Sequence, residues 1–148
     1  MAKKQSEPSP IVRQIPDTDS IARYCGAATL DSAGRPTGAA FQARSQDAGR
    51  LSCDWVDCLA GPPASEPAEA VRASLRSRVA GYDANGKVGL LNVGRVRTLT
   101  IETQQLDVIH VPTRRNTCHA AIAGVAGLLE LTFAELLADV AAASTIPA

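Results

Sequence analysis

Apolar residues recur at helical spacing in two segments of the chain. The first segment follows Ser65, a residue type that caps helix N-termini, and is predicted to form a helix as far as about Ala80. The second is predicted to begin at a Thr132 cap, with acidic residues on its outer side. The two apolar stripes consist of Ala68, Val71, Leu75 and Val79, and of Phe133, Leu136, Leu137, Val140 and Ala141. Each stripe indicates a helix that buries one side.

Shorter apolar or alternating runs predict strands. These runs cover residues 39–44, 51–56, 88–93 and 106–111. The first two flank a glycine-containing loop and are typical of a hairpin, whereas the last two are apolar runs of strand length. Residues 94–103 leave a strand and a short helix open, although Val96, Thr98 and Thr100 favour the strand.

Residues 1–19 differ in composition from the rest of the chain. Three prolines lie there among charged and amide residues, and such a segment buries too little apolar surface to offset the entropy of ordering. We therefore predict a flexible N-terminal arm, within which residues 11–15 alternate well enough to add to a sheet edge. Residues 20–148 are predicted to form a single small α+β domain. Its mixed, mostly antiparallel sheet carries two main helices against one face.

The 148 residues carry fifteen Lys plus Arg and fifteen Asp plus Glu, so the formal net charge is zero. This balance and the scarcity of aromatic residues argue against a nucleic-acid surface. The start of the chain has no apolar stretch typical of a secretory signal, and the apolar run over residues 120–129 is too short to cross a membrane. We expect a cytoplasmic protein without membrane association, in which Cys25, Cys53, Cys58 and Cys118 are free thiols and form no disulfide.

Both histidines of the chain lie in one polar cluster after an apolar run. Imidazoles titrate near neutral pH, so His110 and His119 could act as general acid and base if the intervening loop folds back on itself. Arg114 or Arg115 could then bind an anionic group, and Asn116 could orient it. This set suits metal-independent cleavage of a phosphodiester. In the competing interpretation, His110 bonds to backbone at the edge of the core, the arginines occupy a solvated turn and His119 caps the next element.

Two further chemistries are open to the cysteines, and the spacing favours neither. Zinc could be held by cysteines together with the histidines, but in a continuous strand the sulfur atoms of Cys53 and Cys58 would be about 16 Å apart on opposite faces. Cys25 could act as a nucleophile beside a histidine, but its neighbours match no known nucleophile motif. Asp54 and Asp57 are interpreted as a solvated edge. We expect no metal and no cofactor.

Four motifs follow one another between residues 31 and 122, within a similarity that covers roughly residues 17–140. They are Asp31-x-x-Gly34-Arg-Pro-Thr-Gly-Ala-Ala-Phe41-x-x-Arg44, Leu51-Ser52-x-x-Trp55, Asn92-Val93-Gly94-Arg95-Val96 and His110-x-Pro112-x-x-x-Asn116-x-x-His119-Ala120-x-Ile122. In their order and spacing the chain resembles a family of small bacterial proteins for which no activity is established. The resemblance implies that the motif positions include Arg44, Trp55, His110, Asn116 and His119. We add Arg44 and Trp55 to the candidate substrate-binding residues on this ground.

Two classes of function are compatible with these observations. The first is a noncatalytic interaction or accessory module of a bacterial multi-gene system, whose arm and hairpin edge recruit a protein partner. The second is a metal-independent phosphodiesterase or small-molecule hydrolase that uses the histidine loop. The first is favoured because no strong catalytic motif is present. The two classes differ in one geometric requirement, since the enzyme needs both imidazoles in one pocket.

Overall fold

The computed structural model describes residues 11–43, 49–60, 66–125, 127 and 129–148. The strands are β1 (Ser20–Cys25), β2 (Leu51–Trp55), β3 (Lys87–Asn92), β4 (Thr100–Ile101), β5 (Gln104–Gln105), β6 (Asp107–His110), β7 (His119–Ala123) and β8 (Thr145–Pro147). The α-helices are α1 (Val56–Ala60), α2 (Pro67–Arg78), α3 (Val93–Arg97) and α4 (Glu130–Ala142). Within these described ranges, no helix has the length and apolar character needed to cross a membrane.

Six strands form one sheet in the order β6-β7-β2-β1-β3-β8, and β4 and β5 form a separate two-stranded sheet. All of the pairings are antiparallel. β1 pairs with β3 along all six of its residues, and β2 pairs with β7 as far as Asp54 opposite His119. The predicted small α+β domain, with a mostly antiparallel sheet and two main helices, is confirmed.

The two main helices lie on opposite faces of the sheet. Successive residues of a strand point to opposite faces. On β1, Ile21 belongs to the core cluster that includes α4, whereas Ala22 belongs to the cluster that contains Val71 and Leu75 of α2. We call these two sides the α4 face and the α2 face. The prediction that both helices cover one face is wrong, because β1 buries side chains on both of its sides and each side needs a cover.

Close packing of α4 on the sheet depends on a glycine of β3. A Cβ atom on Gly89 would lie 2.9 Å from the Cβ atom of Ala141, closer than carbon atoms pack. The missing side chain lets the helix approach the strand. Phe133 and Leu137 of α4 are fully buried in this core.

The predicted hairpin over residues 39–44 and 51–56 is wrong. Gly38–Phe41 is a 3-10 helix, and residues 44–48 lie outside the described residues. Ala40 and Phe41 are buried in the α4-face core, so side-chain packing fixes this segment in place of strand pairing. β2 itself is an interior strand between β7 and β1. It therefore offers no hairpin edge to a partner.

Both predicted helices form, with shifted starts. α2 begins at Pro67 and its N-cap residue is Glu66, while the predicted cap Ser65 lies outside the described residues. α4 begins at Glu130, two residues before the predicted cap Thr132. An acidic side chain in the first turn, here Glu130, is favoured by the helix dipole.

The two apolar runs predicted as strands correspond to β3 and β6. Both alternatives left open for residues 94–103 occur in succession. α3 comes first, started by the side chain of Asn92, which accepts a hydrogen bond from Arg95 N at 2.9 Å. β4 then follows. The strands β1 and β7 were not predicted, because their composition is rich in alanine and polar residues. β8 was not predicted either, since it has only three residues and ends at a proline.

The described part of the predicted arm is anchored at its C-terminal end. Ile15 is only 1% exposed, whereas Ile11 and Val12 are 71% and 69% exposed. Residues 11–16 form no strand, so their predicted addition to a sheet edge is wrong. Arg97 provides the physical reason, because its guanidinium donates both to the carbonyl oxygen of Ile15 (2.6 Å) and to that of Val108 in β6 (2.9 Å). A side chain thus occupies carbonyl groups that strand pairing would use.

Cys58 of α1 and Cys118, just before β7, form a disulfide. The prediction of four free thiols is wrong for this pair. A chain turn explains the error: β2 ends at Trp55 and α1 begins at once, so Cys58 leaves the line of the strand and approaches a cysteine 60 residues later in the chain. Cys25 and Cys53 are free and buried.

Candidate functional site

His110 is held in the core edge by both of its ring nitrogens. Its Nδ1 accepts a hydrogen bond from Arg13 N at 2.9 Å, and its Nε2 lies 2.7 Å from the carbonyl oxygen of Thr117. A carbonyl only accepts, so the proton is on Nε2 and the ring donates it to Thr117. The residue is 7% exposed. Neither nitrogen is therefore available to exchange a proton with a substrate.

His119 lies on the other face of the sheet. His110 is opposite Ala120 in the pairing of β6 with β7, so His119, one residue earlier on β7, points away from it. The Nδ1 of His119 donates to the carbonyl oxygen of Val111 at 2.9 Å. The structure does not bring the two imidazoles together, and a shared acid–base site does not form.

The loop between the histidines contains the other predicted residues. Asn116 is buried, and its side chain donates to Asp54 Oδ1 at 2.8 Å and accepts from Cys118 N at 3.0 Å. Arg114 and Arg115 are exposed on the same loop. Asn116 thus connects the loop to β2. A group that orients an anion beside Arg114 and Arg115 would have to face solvent, whereas the Asn116 side chain is buried.

Of the two residues added through the resemblance, only Trp55 is described. Its ring packs edge-on against His110, with the ring centroids 5.1 Å apart, and its Nε1 donates to Asp19 Oδ2 at 2.8 Å. At 8% exposure it presents little surface to a ligand. Arg44 lies outside the described residues.

Asp54 is the polar residue whose burial the sequence pattern did not predict. It was interpreted as part of a solvated edge, but it is 1% exposed and points to the α2 face. Its Oδ1 is bonded by Arg78 of α2 and by Asn116. Its Oδ2 is buried and has no hydrogen-bond partner among the described residues. The available signal was the run Leu51-Ser-Cys-Asp-Trp55, in which an acidic residue stands among apolar ones.

Asp57, the other half of that predicted edge, is exposed and accepts a hydrogen bond from Ser20 N at 2.8 Å. The two carboxylates therefore have different roles. Asp57 fixes the start of β1 to α1, whereas Asp54 is the centre of a buried polar cluster.

A cleft opens beside Asp54, where β1 and β2 diverge. Their pairing covers Ile21 opposite Trp55 and Ala22 opposite Asp54. Beyond that point Arg23 bridges the gap, because its Nε donates to Ala40 O at 2.6 Å and its Nη1 to Ser52 O at 2.7 Å. The resulting cavity of about 200 Å³ is lined by Ala22, Arg23, Tyr24, Ser52, Cys53, Asp54, Leu75, Arg78 and Val79.

The remaining cysteines have the properties of packed thiols. Burial raises the pKa of Cys25 to about 11 and that of Cys53 to about 12, against the ordinary value of 9.0, and so keeps both protonated. A thiol rather than a thiolate is a weak nucleophile and a weak metal ligand. Among residues 11–43, 49–60, 66–125, 127 and 129–148, no three His, Cys, Asp or Glu side chains converge on a metal position.

No family model matches the chain, and neither a curated protein nor a solved structure matches it. The resemblance drawn from the four motifs stays a prediction. The geometry of the described residues offers two candidate sites: the exposed apolar residues at the start of the described chain, and the cleft beside Asp54.

Proposed function

We propose that this protein is a noncatalytic interaction module that recruits a protein partner through Ile11 and Val12. The proposal rests on the exposure of these two side chains, 71% and 69%, although Ile15 of the same segment is buried. Large apolar side chains that remain in water favour association, because their burial against a partner releases free energy of roughly 25 cal/mol per Å².

Anchoring of the segment supports this role. Ile15 is buried in the α4-face core, Arg97 bonds to its carbonyl oxygen, and Arg13 N bonds to His110. The neighbouring apolar pair is thus presented from a fixed position on the domain. A fixed segment loses less conformational entropy on binding than a free one. The partner that fits is a protein with an apolar groove that accepts a short extended segment.

The geometry of the histidine loop gives the hydrolase alternative less support. His110 and His119 point to opposite faces, and both ring nitrogens of His110 have partners. Acid–base catalysis requires two groups that reach one substrate. The interaction module therefore remains the better proposal.

Site-specific crosslinking tests the proposal. A photoreactive side chain at position 11 is expected to capture one discrete protein in cells of the native host. The same group at position 131 is the control, because Leu131 is also apolar and 64% exposed but lies on α4. Capture at 131 alone, or the same captured set at both positions, contradicts the proposal.

Affinity measurements with the purified partner complete the test. Val12→Asp is expected to raise the Kd by about tenfold or more, the loss typical of a central apolar contact. Leu131→Asp is the matched variant and is expected to leave the Kd unchanged. Equal effects of the two substitutions would mean that general surface hydrophobicity, rather than the arm, determines binding.

The Cys58–Cys118 disulfide counts against the predicted cytoplasmic location, and the state of these two cysteines in cells tests that prediction. Disulfides are rare in reducing compartments. Cells of the native host are quenched in acid and the protein's reactive thiols are counted under denaturing conditions. Four thiols per chain support the cytoplasm. Two thiols per chain, with Cys58 and Cys118 protected, contradict it and indicate an oxidising compartment.

A further inference from the structure

His110 ties the N-terminal segment to the sheet through a bond that only a neutral ring can make. Its Nδ1 accepts a hydrogen bond from Arg13 N at 2.9 Å, and its Nε2 donates to the carbonyl oxygen of Thr117 at 2.7 Å. A neutral imidazole has one nitrogen that donates and one that accepts, and here both are used. The ring therefore connects the segment around Arg13 to the loop that precedes β7.

A proton and the backbone N–H group of Arg13 compete for the same lone pair of His110 Nδ1. An imidazolium carries a proton on both nitrogens and accepts no hydrogen bond. Its Nε2 still donates to Thr117, so protonation removes one of the two ring bonds and leaves the other in place. The bond that is lost is the one to the N-terminal segment.

Residues 11–14 depend on this bond, whereas the rest of the segment does not. All four residues are exposed, and among the described residues the bond to His110 is the one hydrogen bond that they form. Ile15 is held separately, because its side chain is buried and Arg97 bonds to its carbonyl oxygen. Loss of the His110 bond therefore frees residues 11–14 and leaves the domain folded.

The charged groups on the elements around His110 are engaged with other partners or exposed to solvent. Asp19, just before β1, accepts a hydrogen bond from the indole that packs edge-on against the ring. Arg97 of α3 is paired with Asp17 and Asp107. The other titratable groups are Arg13, Arg114 and Arg115, which are exposed, and Cys53, whose pKa is raised by burial. Among the described residues no carboxylate pairs with His110, so protonation of the ring acts through its bond to Arg13 N.

We propose that His110 is a pH-sensitive switch, which holds residues 11–14 on the domain while its ring is neutral and releases them when Nδ1 is protonated. Imidazoles change charge between about pH 8 and about pH 5, so acidification over this range frees the segment. Release weakens the binding of a partner, because a free segment loses more conformational entropy on binding than a fixed one. This last consequence rests on the proposed function of Ile11 and Val12.

His119, the other histidine of the chain, provides an internal control. Its Nδ1 donates to the carbonyl oxygen of Val111 at 2.9 Å, so a second proton is added at Nε2 and the bond to Val111 is kept. Protonation of His119 therefore breaks no contact that holds the N-terminal segment. The two rings titrate in one sample, but only His110 is expected to move residues 11–14.

Nuclear magnetic resonance of the ¹⁵N-labelled full chain tests the switch without a partner. Over this pH range the Arg13 amide signal is expected to shift with the same midpoint as the ring nitrogens of His110. The heteronuclear NOE of Ile11 and Val12 is expected to fall with that midpoint, while that of the buried Ile15 stays constant. A His110 ring that stays neutral throughout overturns the proposal. A constant Arg13 signal, or one that follows the midpoint of His119, also overturns it.

Two variants assign the effect to one ring. His110→Asn places an amide oxygen near the position of Nδ1, and this acceptor does not titrate over the same range. The Arg13 signal of this variant is therefore expected to be independent of pH. His119→Asn is the control and is expected to keep the wild-type pH dependence. Should His110→Asn fail to fold, wild type and His119→Asn decide, and loss of the Arg13 transition in His119→Asn overturns the proposal.

Partner binding tests the consequence of the switch. The Kd of the wild-type chain for its purified partner is expected to rise about fivefold on acidification, the effect of one lost neutral hydrogen bond, and that of His110→Asn is expected to stay constant. An equal rise in both proteins overturns the regulation, because the partner would then be the component that titrates. If position 11 captures no partner, the proposed function fails, whereas the NMR titration still decides whether His110 releases the segment.

Discussion

The two faces of the sheet are built on different physical principles. The α4 face is a closed apolar core in which Phe41, Phe133 and Leu137 are fully buried. The α2 face has only a small buried cluster, and beside it lie the ion pair of Asp54 with Arg78 and an open cleft. One side of the sheet is therefore packed for stability, and the other combines weaker packing with polar groups.

This difference shows where a domain of this size can accommodate a buried charge. Removing a carboxylate from water costs several kcal/mol, and an ion pair does not always recover that cost. The large core on the α4 face supplies stability that the α2 face does not have to provide. A polar cluster in which one buried acceptor has no partner among the described residues is thus tolerated on the thinner side.

Matched leucine truncations measure the comparison directly and have the largest expected effect. Leu137→Ala on the α4 face is expected to lower the free energy of unfolding by about 4 kcal/mol, since it leaves a cavity in a closed core. Leu75→Ala, beside the existing cleft, is expected to cost about 3 kcal/mol, because the site already borders open space. Urea denaturation gives both values. Leu131→Ala, an exposed residue of α4, is the control, and equal losses at 75 and 137 would remove the distinction between the faces.

Loss of the disulfide is expected to act mainly on the loop that precedes β7, because Cys118 ends this loop and packs with Cys58 in the α4-face cluster. Cys118 lies two residues after Asn116, whose side chain bonds to Asp54. The disulfide closes a chain segment of 60 residues. The double variant Cys58→Ser, Cys118→Ser is expected to lose about 3 kcal/mol, chiefly because the unfolded chain gains entropy. Hydrogen exchange should quicken at Asn116 and Asp54 more than at Leu137. Uniform acceleration at these three positions would contradict this localisation.

Alkaline pH is expected to act on the α4 face, where Cys25 and Cys53 are buried. Burial raises their pKa values to about 11 and about 12, so above pH 9 the unfolded chain releases protons that the folded chain retains. Stability is therefore full below pH 9 and falls as the pH rises toward 11. Thermal melts of wild type and Cys53→Ala between pH 8 and 11 check the prediction, since the variant should show a shallower decline. A wild-type melting temperature that is constant over this range would contradict it.

The periodicity of apolar residues predicted those helices and strands whose conformation follows from their own local sequence. The stripes of α2 and α4 and the apolar runs of β3 and β6 are local patterns, and all four elements form. The region of Phe41 was misread as a strand because its conformation is set by contact with α4, which lies some 90 residues further along the chain. β1 has mixed composition because it is buried between two different layers, and no single period describes it.

The candidate site was harder to predict because it depends on strand register. His110 and His119 are close in sequence, but the register of β6 against β7 decides whether their side chains share a face. His110 pairs with Ala120, so His119, one residue earlier, points to the opposite face. The importance of Asp54 likewise arises from Arg78, 24 residues away, and from Asn116, 62 residues away. Composition alone indicated that the chain has a buried core, but not which acidic residue enters it.

The position of the disulfide also affects how quickly the fold forms. β2 and β7 are neighbours in the sheet although their paired residues are 65 to 71 positions apart in the chain, and such non-local pairings slow folding. Cys58 lies three residues after β2 and Cys118 immediately before β7, so the oxidised unfolded chain already holds these two strands close together. The entropy of closing that loop is then paid before folding begins. Oxidised chains should accordingly refold faster than reduced chains, because the pairing of β2 with β7 becomes a local event.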